Sequence, residues 1–134
     1  FMITLDRGVE LVWHALNDMI GGEIYVKKIP SIKITDVALA VDPNAKHEFI
    51  GMRPGEKLHE QMISLEDAAY TFEYDGYFKI LPAIHNWSQD PRRIGEGKPV
   101  PADFSYSSDS NSEWMTVKSL KVWIEENREK IGMI

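Results

Sequence analysis

The chain has 134 residues, a formal net charge of −6 and no cysteine. That length allows one domain with a real core. The negative balance argues against non-specific nucleic-acid binding, the missing thiols exclude disulfides and thiolate metal sites, and no apolar run approaches the roughly 20 residues of a membrane helix.

Leu5, Val9, Val12, Trp13, Leu16 and Ile20 keep helical spacing, so residues 5–20 read as an amphipathic helix. Thr4 is its candidate cap, Asp6 suits its positive end, and Gly21-Gly22 stops it. Ile24-Tyr25-Val26 reads as a short buried strand, followed by Lys27 and Lys28, which are read as solvated. Thr35 is expected to cap a short helix carrying Val37, Ala38, Ala40 and Val41, ending near Asp42-Pro43. Phe49-Ile50 is expected in a second short strand. Residues 54–63 are then expected as a helix that buries Leu58 and Met62. This alternation indicates an α/β protein.

Downstream, Thr71–Tyr74 and Tyr77–Leu81 flank Asp75-Gly76, the pattern of a β-hairpin. Phe72, Tyr74, Tyr77 and Phe78 are read as core and cross-strand packing. Residues 82–111 are rich in Pro, Gly, Ser and Asp, and a stretch this irregular is functional or flexible. Thr116 caps a last helix with Val117, Leu120 and Ile124 on one face, ending near Gly132.

Most enzyme signatures fail. The sequence has no G-x-G-x-x-G and no Tyr followed four residues later by Lys. His59-Glu60 starts like a zinc-protease helix, but Ile63 stands where the second histidine is required. The four histidines lack ligand spacing, and Trp114 replaces the glycine that a calcium loop beginning at Asp109 would need. Asn86-Trp87-Ser88 is read as a chance sequon, and Gly95-Glu96-Gly97-Lys98 as a flexible turn.

What remains is Arg53-Pro54-Gly55-Glu56-Lys57-Leu58-His59-Glu60. A guanidinium on a Pro-Gly turn can grip phosphate oxygens in two-pronged fashion. It can equally be one half of a surface ion pair. Glu56 can accept hydrogen bonds from ligand hydroxyls or hold Arg53, or simply favour a helix start.

The run Gly51-Met52-Arg53-Pro54-Gly55-Glu56-Lys57-Leu58-His59-Glu60 resembles the C-terminal signature of the inverting UDP-N-acetylglucosamine 4,6-dehydratases, extended short-chain dehydrogenase/reductases of bacterial surface-sugar pathways. Phe1 to Trp13, Gly22 to Ser31 and Phe104 to Asn111 are similar to further segments of that family, in order. The resemblance implies that residues 1–134 are the C-terminal nucleotide-sugar-binding portion, with a small hairpin and a terminal helix. An upstream Rossmann region would hold NADP and the catalytic residues, so none of either is expected here. Arg53 would contact the UDP pyrophosphate and Glu56 would help bind the nucleotide end. The implied reaction oxidises sugar C4, eliminates water across C5–C6 and returns hydride to C6 with inversion at C5. A UDP-sugar partner, a cytoplasmic location and a homo-oligomeric full-length enzyme follow from the same resemblance. The helix at 5–20 and strand at 24–26 are expected to pack on the parallel sheet of that upstream region, leaving apolar surface exposed in this chain and making it sticky. Two alternatives stand beside this: an epimerase or reductase of the same superfamily, and a non-catalytic UDP-sugar-binding or protein-interaction module.

Overall fold

A computed structural model describes residues 1–128. It is a mixed α/β structure in which helices α1 (Leu5–Asp18), α2 (Ile34–Val41) and α4 (Val117–Glu126) flank two sheets. The larger sheet holds β1 (Ile24–Lys27), β3 (Thr71–Tyr74), β4 (Tyr77–Ile80) and β5 (Lys98–Pro99), in the order β1-β4-β3-β5. Every pairing in it is antiparallel. The smaller sheet pairs β2 (Gln61–Ile63) with β6 (Tyr106–Ser107). A short α3 (Pro91–Ile94) follows a 3-10 turn at Trp87–Gln89.

The hairpin forms as its Asp75-Gly76 turn dictates. Tyr74 faces Tyr77 across the two-residue loop, and Gly76 takes the left-handed φ of +75° that such turns require. The Tyr74 and Tyr77 rings stack with centroids 4.7 Å apart. On the opposite face, Val26, Ile63, Phe78, Ile80 and Tyr106 form the core, with Phe1, Met62 and Phe104 packed against it. The aromatic residues of the hairpin are therefore core and cross-strand packing, as their pattern indicates.

The caps of α1 and α4 are both found. Thr4 Oγ1 accepts from Arg7 N, and Thr116 forms a reciprocal capping box with Ser119. Leu120 is fully buried where α4 packs on α2. The expected end near Gly132 lies outside the described residues.

Three expectations are corrected. Helix α2 starts one residue before Thr35, because the Lys33 carbonyl already accepts from Asp36 N and Val37 N. Phe49-Ile50 joins no strand, and both side chains are more than three-quarters exposed. The helix expected at 54–63 is absent: a turn at 53–56 and strand β2 replace it, and Leu58 is exposed. Strand β1 is not left unpaired: it pairs antiparallel with β4 in register Ile24↔Ile80 through Lys27↔Tyr77, as an edge strand of the sheet.

The irregular stretch is pinned. Tyr106 donates its hydroxyl to the Ile29 carbonyl and accepts from Ile29 N, both at 2.9 Å. Asn111 Nδ2 donates to Ile29 O and Ser31 Oγ. The turn at 95–98 is packed rather than loose, because a Cβ on Gly97 would lie 2.4 Å from the Tyr74 ring.

Helix α1 is tied to the sheet through His14 and Asp18, and its least exposed residues are Gly8, Leu11 and Ala15. His14 packs edge-on against Tyr25 and Tyr77, and Asp18 accepts from Tyr25 Oη at 2.5 Å and from the buried Lys79 Nζ at 2.9 Å. Its apolar stripe of Leu5, Val9, Val12, Trp13 and Leu16 stays exposed, and the helix buries no residue. Partial burial pushes the Asp18 carboxyl up, but the bonds from Tyr25 and Lys79 outweigh it and hold the group below its ordinary range. A carboxylate depressed in the folded state stabilises above its unfolded pKa, about 3.9, and loses that contribution as pH falls through the folded value. The urea midpoint should therefore fall below about pH 4. Asp18→Asn should lower the midpoint at neutral pH and make the acid limb shallower, with Glu23 and Asp90 supplying part of what remains. An acid limb of unchanged depth in Asp18→Asn would remove this latch from the explanation.

Candidate functional site

Arg53-Pro54-Gly55-Glu56 closes as a tight turn, not a helix entry. Proline at the second position and glycine at the third satisfy a type II turn, and Gly55 sits at φ +86°. The Glu56 N–H donates to the Arg53 carbonyl at 3.1 Å. That reversal brings the Glu56 carboxylate back over Arg53. Oε2 accepts from Arg53 N at 2.7 Å and Oε1 accepts from Arg53 Nε at 2.6 Å. Hydrogen bonds from the Arg53 backbone and side chain hold the Glu56 carboxyl below its ordinary range. The Arg53 side chain remains 76% exposed and that of Glu56 39%. The two residues singled out in the sequence are thus in contact, on a solvent-facing loop.

The C-terminal end of that loop is anchored. Ser108 N donates to Glu60 O at 2.8 Å, and Glu60 N donates to Ser108 Oγ at 3.0 Å. Strand β2 follows directly and pairs with β6, so the arginine run and the Phe104–Asn111 segment meet in space. Neither Arg53 nor Glu56 lines either of two cavities among the described residues. One, of about 590 Å3, is walled by Lys28, Glu73, Phe78, Asp103, Tyr106 and Glu113. The other, of about 690 Å3, lies between Lys33, Trp114 and Lys118.

Two interactions were not foreseen. Lys28 is not simply solvated: its ammonium pairs with Glu73 at 2.7 Å and lies 4.9 Å from the Phe78 ring centroid. Arg93 is buried, pairs with Glu23, donates to Gly21 O at 2.7 Å and stacks on Trp87. No local signal marks either pair, because their members lie 45 and 70 residues apart. Among the described residues, no group of three His, Asp or Glu is placed to hold a metal ion. Nor is any described helix long and apolar enough to cross a membrane.

Residues 1–82 match the family described as "Polysaccharide biosynthesis protein". The chain belongs to this family. Among the curated relatives, the UDP-N-acetylglucosamine 4,6-dehydratase (inverting) of Campylobacter jejuni strain 81-176 is 46% identical over 125 residues, covering 90% of this chain and 37% of that protein. The UDP-glucose 4-epimerase of Rickettsia akari is 36% identical over 84 residues, covering 60% of this chain and 25% of that protein. Among solved structures, Pen from Bacillus thuringiensis superimposes with a TM-score of 0.79 at 26% identity, over 96% of this chain and 38% of that one. The chain thus spans little more than a third of the length of the dehydratase it matches. The family assignment and the shared fold agree with the resemblance read from the ordered motifs.

Proposed function

We propose that this chain is the C-terminal, nucleotide-sugar-binding portion of a 5-inverting UDP-N-acetylglucosamine 4,6-dehydratase. The observation that carries the reading is 46% identity to the Campylobacter protein across 90% of this chain. The Arg53–Glu56 turn supplies the chemistry. Its cation and backbone N–H converge on one carboxylate, an arrangement that suits the oxygens of a diphosphate equally well. In this reading Arg53 holds the UDP diphosphate and Glu56 lies within reach of the nucleotide end.

Loss of water across C5–C6 requires a ketone at C4, which acidifies the C5 proton, so the reaction calls for a nicotinamide cofactor. The residues described here do not fit one. The left-handed glycines at 21, 22, 51, 55, 76 and 95 form none of the strand-to-helix turns that cradle a pyrophosphate. NADP and the acid–base residues are assigned to sequence outside this chain, and the chain alone is expected to be inactive. A homo-oligomeric cytoplasmic enzyme feeding pseudaminic acid or capsule synthesis completes the proposal.

The epimerase relative favours a second reading, in which the full-length protein inverts C4 of a UDP-hexose. Mass spectrometry separates the two. With UDP-N-acetylglucosamine in deuterated water, the full-length enzyme should release a product lighter by one water and carrying solvent deuterium at C5. An isomer of unchanged mass would favour the epimerase and refute dehydration.

A further inference from the structure

We propose that Glu56 is an internal occupant of the anion seat at Arg53, so that a ligand must displace it and only a multiply charged anion does so well. This rests on the reading of Arg53 as a diphosphate-binding residue. The geometry carries it. Glu56 does not meet the guanidinium alone: its two oxygens take the Arg53 backbone N–H at 2.7 Å and Nε–H at 2.6 Å, the two-pronged grip a phosphate would use. The Pro54-Gly55 turn delivers the carboxylate there, fixed by the Glu56 N to Arg53 O bond. No burial locks it in place, since both side chains remain substantially exposed. An exposed ion pair is weak, so exchange for a stronger anion is readily driven.

The consequence is selectivity. A carboxylate in the seat neutralises Arg53 and, being tethered there, outcompetes a free singly charged anion. A diphosphate brings more charge and more acceptor oxygens than Glu56 offers, and it prevails. Glu56 therefore raises the charge a ligand must carry before it is held, a repulsive element of the kind that confers specificity.

Calorimetry on the full-length protein with inorganic pyrophosphate tests this. Glu56→Gln and Glu56→Ala should both tighten pyrophosphate binding, by about twofold to fivefold, because the competing occupant of an exposed pair is gone. Binding of acetate should also be stronger in the same variants than in the parent protein. Arg53→Ala should lose pyrophosphate in either background. Unchanged or weaker pyrophosphate binding in both Glu56 variants, with Arg53→Ala still deficient, overturns the occupant role while leaving Arg53 as the phosphate residue. If Arg53→Ala binds as the parent does, the diphosphate reading fails and the occupant role goes with it.

Discussion

Arg93→Ala should cost about 3–5 kcal/mol of folding stability, the usual effect of removing one partner of a buried ion pair. The Arg93 side chain is 6% exposed and that of Glu23 only 1%. Burial pushes the Glu23 carboxyl up, yet the Gly21 N–H at 2.7 Å and the Arg93 charge hold it below its ordinary range. Without Arg93 that carboxylate keeps its backbone donors but loses its countercharge. The Gly21 carbonyl loses its donor too, and Trp87 loses the guanidinium 4.0 Å from its ring. These contacts tie the exit of α1 to α3, so the damage should spread to the 20–23 corner. Urea unfolding measures the loss. Pairing Arg93→Met with Glu23→Gln should recover part of it, because replacing both charges removes the stranded ion. A loss below about 1 kcal/mol in Arg93→Ala would place this pair among exposed ones in effect and contradict its burial.

That pair also shows where the sequence is silent. Glu23 and Arg93 each look like ordinary surface charges, and only the folded chain puts them together. Local signals were legible where a few neighbouring residues suffice: the Asp75-Gly76 turn and the Thr4 and Thr116 caps. The arginine run was legible in part. Pro54 suits either the first turn of a helix or the second position of a tight turn, and Leu58 and Met62 are spaced for a helix. Gly55 decides against the helix, because at φ +86° it reverses the chain instead of continuing it. Tertiary pairing then claims the following residues, since Ile63 gains complete burial in β2 opposite Tyr106. The contact between Arg53 and Glu56 survives that change, because the turn and a helix both bring residues three apart together. For α1 the periodicity and the exposed apolar stripe were legible, but not the long-range bonds from Tyr25 and Lys79 to Asp18 that tie it to the sheet.

Arg53→Ala in the full-length enzyme should weaken UDP-sugar binding by about 10- to 100-fold, the range expected for a charge-assisted hydrogen bond to a ligand. Little else should change. The side chain is 76% exposed and its guanidinium pairs with Glu56 on the same turn, so unfolding midpoints should move only slightly. Arg53→Lys separates charge from shape. It keeps the positive charge but loses the planar fork, so its affinity should fall between those of the parent and the alanine variant. The deficit should also shrink as salt rises, since an exposed cation is screened over about 10 Å at 0.1 M ionic strength. A residue that serves only to pair with Glu56 predicts otherwise: UDP-sugar affinity would be the same in all three proteins at every salt concentration. Calorimetric titration of the parent, Arg53→Lys and Arg53→Ala at low and high salt therefore decides whether this turn is a phosphate grip or a surface ion pair.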